Sequence, residues 1–184
     1  MVSNENLRPE YTSMTGSWVL DLSRSDTFEA YLRCLGTPQS AIQAQVAGER
    51  AYQSRNVIAI DRFSLIIHKD TAVHHFTEAF ELGQERLTPR RTISGSVGRG
   101  GNLAMASLAD EGRLDGYVVA TATTGPSGRP SQETVEVRQL IDRGLSHTQQ
   151  INVRNVATGE ECVVMRTWVR VPMTQEDQLR LLAE

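Results

Sequence analysis

The chain has 184 residues, 39% hydrophobic and 22% charged, with a formal charge of −3. That composition describes one globular domain able to bury a core without disulfide or metal staples, and it excludes disordered and fibrous classes. No apolar run is long enough to span a bilayer, so integral membrane insertion is not expected.

In chain order, Gly16 to Leu22 reads as a first strand. After Ser25-Asp26, taken as N-cap residues, Phe28, Tyr31, Leu32 and Leu35 recur at i, i+3, i+4 and i+7, and Gly36 stands where a C-cap glycine belongs. Thr37-Pro38 restarts the pattern, Ile42 and Val46 supply an apolar face, and Gly48 closes it. These predict two short helices in a helix-turn-helix inserted after the first strand.

From Tyr52 to Val171 the texture changes to β-branched, alternating segments separated by turn formers. Strands are expected near 54–60, 63–69, 73–81, 85–88, 90–97, 102–109, 115–123, 133–141, 146–156 and 160–171. Gly98-Arg-Gly-Gly101 reads as a hairpin turn and Thr124 to Ser131 as a mobile surface loop. A final helix is expected to start at Thr174 and to use Leu179 and Leu182. So many short strands argue for an antiparallel barrel or sandwich over 16–172, with a tail at 1–15 and an extension at 173–184.

No nucleophile-base arrangement, metal spacing or complete phosphate loop is present, so no catalytic residue, metal site or cofactor is expected. His68, His74, His75 and His147 do not frame a metal, and adjacent His74 and His75 point to opposite faces of a strand. Cys34 and Cys162 are too few to form a disulfide framework, which fits a reducing, cytoplasmic setting. The arginines are scattered and net charge is near zero, so nucleic-acid binding lacks an electrostatic basis. Met1 to Thr15 lack the regions of a secretory signal, and no myristoylation or prenylation motif is expected.

The informative residues are charged groups that alternation aims at a barrel interior. Val164, Arg166, Trp168 and Arg170 share one face of the last strand, and Met165, Thr167, Val169 and Val171 share the other. If the first set points inward, Arg166 becomes a buried cation that needs a compensating anion, which favours a carboxylate ligand. If it points outward, Arg166 pairs with a surface acid.

Gly16-Ser-Trp18, the Ser25-Asp-Thr-Phe28 to Leu35-Gly36 helix, Val46-Ala-Gly48, Phe80-Glu-Leu-Gly-Gln-Glu85 and Arg166-Thr-Trp168 stand in an order that resembles the intracellular fatty-acid-binding proteins. The resemblance runs from about Gly16 to Val171. It implies a mainly all-β fold: a ten-stranded antiparallel up-and-down β-barrel whose helix-turn-helix lid lies between the first and second strands, and a cavity for long-chain fatty acids or other hydrophobic carboxylates.

That resemblance also implies a ligand carboxylate held by Arg166 on the last strand and by a second arginine, aligned with Arg138. Trp168 replaces the family's tyrosine. It can pack against ligand and donate one indole N–H, but it lacks a phenol hydroxyl. Phe28, Tyr31 and Leu32 would cover the portal. Burying a tail of about fifteen methylenes at ~0.8 kcal/mol each gives a gross driving force of about 12 kcal/mol. Binding costs reduce this to roughly micromolar to nanomolar affinity. Two other readings stay open: a barrel kept as a protein-interaction module, and a calycin-like enzyme or haem binder using His74 or His75.

Overall fold

The computed structural model describes residues 11–72, 75–91, 97–125 and 127–182. Its strands are β1 (Gly16–Leu20), β2 (Arg55–Ile60), β3 (Ser64–Asp70), β4 (His75–Glu81), β5 (Glu85–Arg91), β6 (Val97–Leu108), β7 (Gly116–Thr124), β8 (Pro130–Ile141), β9 (Ser146–Asn155) and β10 (Glu161–Val171). They form one ten-stranded antiparallel sheet in the order β4-β3-β2-β1-β10-β9-β8-β7-β6-β5. Strands consecutive in sequence pair with each other, β4 and β5 excepted, and the β1–β10 ladder joins the two ends of the chain's meander. The sheet thus curls into a nearly closed up-and-down barrel, with β4 and β5 at the two ends of the hydrogen-bonded order.

Two helices, α1 (Glu29–Cys34) and α2 (Gln39–Ala51), follow β1 as expected. Gly36 has φ +70, the left-handed conformation that ends α1 without a Cβ penalty. Ser25 and Asp26, however, are not its caps. Ser25 Oγ accepts from the Thr167 N–H and Asp26 Oδ2 from the Met165 N–H, both at 2.9 Å, so this pair anchors the lid to β10. Nor does Gly48 end α2. The helix passes through it to Ala51 where it packs against the β3–β4 connection, a Cβ at Gly48 lying 3.6 Å from the Ala72 Cβ.

Alternation decides the barrel interior. On β10, Val164, Arg166 and Trp168 are buried, whereas Met165 between them is 40% exposed. The half of the barrel away from the helices is filled by Met14, Trp18, Ile58, Ile60, Leu65, Phe80, Ala106 and Tyr117. Gly16 and Trp18 act with Arg170 as one unit. The guanidinium lies over the Trp18 ring at 4.1 Å and over the Tyr11 ring at 4.3 Å. It donates to the carbonyls of Ser13, Thr15 and Gly144 at 2.8 Å each. A Cβ on Gly16 would sit 2.4 Å from Arg170 Nη1, which explains the small residue two before the tryptophan.

Other expectations change. Residues 85–91 form one strand, β5, without the expected break at 89; residues 92–96 lie outside the described residues, and Val97 begins β6. Residues 98–101 form part of β6, not a turn. The ladder register shifts between Pro89 and Arg91, because a proline has no N–H for a regular ladder and a bulge absorbs the irregularity. At the expected loop, β7 ends at Thr124, β8 begins at Pro130 and the Gly125 N–H donates to the Arg129 carbonyl at 2.9 Å; residue 126 lies outside the described residues.

A third helix, α3 (Gln175–Leu182), begins after Thr174. Thr174 and Asp177 cap it reciprocally, Thr174 N–H to Asp177 Oδ2 at 2.8 Å and Asp177 N–H to Thr174 Oγ1 at 3.1 Å. Its anchor is the ion pair of Asp177 with Arg55 on β2, since Leu179 is 58% exposed and the Leu182 side chain lies outside the described residues.

Candidate functional site

The register places Arg138 of β8, Gln149 of β9 and Arg166 of β10 directly side by side on the interior face. Two cations and an amide therefore form one row beneath the helices. Arg138 is 1% exposed and Arg166 2%. Burying guanidinium groups this deeply costs several kcal/mol each unless carboxylates and hydrogen bonds compensate. The chain supplies one carboxylate to each.

Arg138 is paired within the chain through Nε and Nη1. Its Nε donates to Glu136 Oε1 at 2.6 Å, and Asn56, with its amide oxygen turned to the guanidinium, accepts from Nη1 at 2.9 Å. The group lies over the Trp168 ring at 5.3 Å and the Tyr117 ring at 5.9 Å. Burial opposes ionisation of Glu136, but the charges of Arg138 and Lys69 and hydrogen bonds from Arg138 and Gln149 outweigh it, holding the carboxyl down to about 2. Buried His147 is also lowered, well below its ordinary value, by desolvation and by the Arg138 charge, so it is neutral.

Arg166 is differently placed. Its Nη2 donates to Glu49 Oε1 of α2 at 2.5 Å, and its guanidinium lies 4.2 Å from the Phe28 ring centroid. Nε and Nη1 are buried and have no hydrogen-bond partner among the described residues. Arg166 points inward, and the anion that meets it is a buried acid of this chain.

A cavity of about 390 Å³ lies here, lined by the Phe28 and Tyr31 rings, Glu49, Glu136, Arg138, Ile151, Arg166 and Trp168 among others. That is within the usual range for small-molecule sites. A recess of about 490 Å³ beside Tyr11, Leu114 and Arg143 is larger, but it lies at the end away from the helices and touches none of the cationic row.

The sequence-derived site residues are placed as follows. Arg138, Arg166 and Trp168 converge on the cavity. The indole N–H of Trp168 donates to Gln149 Oε1 at 2.8 Å, so this side chain offers a ligand its ring and not its donor. Phe28 and Tyr31 line the cavity, with the Tyr31 hydroxyl accepting from Gln132 Nε2 at 2.8 Å. Leu32 is buried but does not line the cavity. Of the histidines considered for haem, His75 is exposed and paired with Asp70, and His74 lies outside the described residues.

Glu49, Glu136, Gln149 and Asn56 were not read from the sequence. Glu136 carried a usable signal: it stands two before Arg138 on the same strand and so shares its face. The two thiols, far apart in sequence, are near each other in space, and burial together with the neighbouring Cys34 pushes the Cys162 thiol up to about 11.

With this geometry in view, comparison with solved structures gives consistent neighbours. The chain is similar to the REP1-NXSQ fatty acid transporter, with TM-score 0.59 and 19% identity over 88% of this chain and 98% of that one. It has the fold of the fatty-acid-binding proteins. A Schistosoma mansoni fatty acid binding protein, solved in complex with arachidonic acid, gives TM-score 0.57 and 17% identity over 89% of this chain and 99% of that one. No family model and no curated protein matches the sequence.

Proposed function

We propose that this fatty-acid-binding-protein-like barrel reversibly binds a hydrophobic carboxylate, a long-chain fatty acid or similar anionic lipid, as a carrier or buffer and not as an enzyme. One observation carries the reading: Arg166 lines the cavity at 2% exposure with Nε and Nη1 unpartnered. Each of these N–H groups can donate to a carboxylate oxygen, whereas both two-pronged edges of the guanidinium include Nη2, which Glu49 holds. Phe28, Ile151 and Trp168 supply apolar contact for the first part of an acyl chain, and Phe28 and Tyr31 of the helix segment serve as the lid. Arg138, paired with Glu136 and Asn56, adds a second positive charge to the cavity wall. Both cysteines are free, which suits a reducing compartment such as the cytoplasm.

Titration of delipidated protein with a fluorescent long-chain fatty acid, with unlabelled oleate as competitor, tests this. Saturable, oleate-displaceable binding is expected, and Arg166→Gln is expected to weaken it by about 10- to 100-fold, the loss of a charge-assisted contact. Thermal unfolding of the same samples establishes that the variant is folded. Absence of displaceable binding by folded wild type would overturn the proposal.

A second reading, a protein-interaction module, draws on the outer wall. There Met105, Ala120 and Val135 stand in one cross-strand row, and Leu87, Leu103 and Val163 beside it are also exposed. A folded protein that binds no fatty acid, yet loses a binding partner on Met105→Glu, would favour that reading.

A further inference from the structure

Glu49 is the least expected member of the site. It is the C-terminal part of α2 that delivers it, a helix of the lid, and it is only 8% exposed. Its carboxylate meets Arg166 Nη2 at 2.5 Å, on the wall of the cavity and next to the two unpartnered donors of the same guanidinium. A free carboxylic acid arriving at Arg166 therefore meets a carboxylate already there. Two anions on one buried cation repel strongly in a medium of low dielectric, so full engagement of the ligand competes with Glu49.

We infer that Glu49 is a built-in surrogate for the ligand headgroup: an affinity-setting carboxylate on the lid that must yield Arg166 when an anionic lipid binds. This rests on the carboxylate-binding reading above and adds to it the residue that limits affinity. Empty, the barrel satisfies Arg166 in part with its own acid, and the buried cation is tolerated. Loaded, the ligand carboxylate takes the guanidinium and Glu49 loses its partner. Because Glu49 belongs to α2, the exchange of anions loosens the same helix that covers the cavity. Binding and lid release are then coupled through one ion pair, and the ligand is held less tightly than its buried apolar area alone would give.

The test compares oleate affinity of wild type, Glu49→Gln, Arg166→Gln and the double variant, by displacement of a fluorescent fatty acid. Glu49→Gln is expected to tighten oleate binding by about 10- to 100-fold, because the neutral amide no longer competes and the unpaired cation gains most from an incoming anion. In the Arg166→Gln background the same substitution is expected to change nothing, which separates competition at Arg166 from a general effect on the lid.

A measurement on wild type alone guards against a variant that fails to fold: amide hydrogen exchange over Gln39–Ala51 is expected to speed up when oleate is added. An ion pair with a merely structural role predicts the reverse, weaker or unchanged affinity on Glu49→Gln and slower exchange in the loaded protein. If wild type binds oleate and Glu49→Gln binds it no better, the inference fails and the carboxylate-binding reading stands. If neither wild type nor variant binds oleate, both fail.

Discussion

Glu136→Gln is expected to destabilise the protein at neutral pH by about 3–5 kcal/mol, the usual cost of removing one partner from a buried ion pair. The physical reason is the position of Arg138. At 1% exposure it has no solvent to turn to, and without the Glu136 carboxylate it loses its directly paired anion, keeping the Asn56 oxygen and the faces of Trp168 and Tyr117. Against total stabilities of about 5–15 kcal/mol for natural domains, such a loss is large. Replacing both members together, Glu136→Gln with Arg138→Met, is expected to recover much of it, because the uncompensated charge disappears as well.

The same pair sets an acid dependence. Glu136 has a folded-state value of about 2, below the value of roughly 4.3 for an unperturbed glutamate. A group depressed in the folded state contributes stability that is fully present above its unfolded value and is lost as pH falls toward its folded value. Urea unfolding of wild type should therefore show a contribution lost between about pH 4.3 and pH 2. The difference between wild type and Glu136→Gln is expected to be largest at pH 7 and to narrow through that window. Equal unfolding midpoints for the two proteins at pH 7 would show that Glu136 does not carry this charge.

Trp18→Ala is expected to cost a comparable amount, about 3–5 kcal/mol, by a different route. Trp18 is completely buried, its indole N–H donates to the Met14 carbonyl at 3.1 Å, and its ring packs edge-on against His147 at 4.6 Å. It is also one of the two rings enclosing Arg170, whose donors hold Ser13, Thr15 and Gly144 together. Truncation leaves a large hole and exposes one side of that clamp. Trp18→Phe keeps most of the volume and loses the Met14 hydrogen bond, so it should fall well short of the alanine variant. Denaturant unfolding separates them; an alanine variant within about 0.5 kcal/mol of wild type would mean that this end of the barrel is not the stabilising core.

Much of this architecture is legible in the residues, for identifiable reasons. Strict alternation on β10 gave two candidate faces, and the cost of exposing Val164 and Trp168 selects between them once the barrel is closed. Phe28, Tyr31 and Gly36 mark α1 because helical spacing and a left-handed C-terminal residue are local signals. What is not legible depends on register or on a misleading local signal. Gln149 joins Arg138 and Arg166 only through strand pairing, which no single segment encodes. Glu49 was obscured by Gly48, which reads as a helix end but sits inside α2, where Ala72 comes within contact distance of a Cβ placed there. Trp168 lines the cavity, but its N–H is committed to Gln149 on the adjacent strand β9, a partner that no pattern in its own strand reveals.

The chemistry of the site comes down to one guanidinium with donors to spare in an apolar-walled cavity. The most direct test is a comparison of two ligands that share a tail and differ in the head: displacement of a fluorescent fatty acid by oleate and by oleyl alcohol, on delipidated wild-type protein. Oleate is expected to bind at least about 10-fold more tightly than the alcohol, the margin of a charge-assisted hydrogen bond to a buried cation. Equal affinities for the two, or displacement by neither, would contradict carboxylate recognition by Arg166.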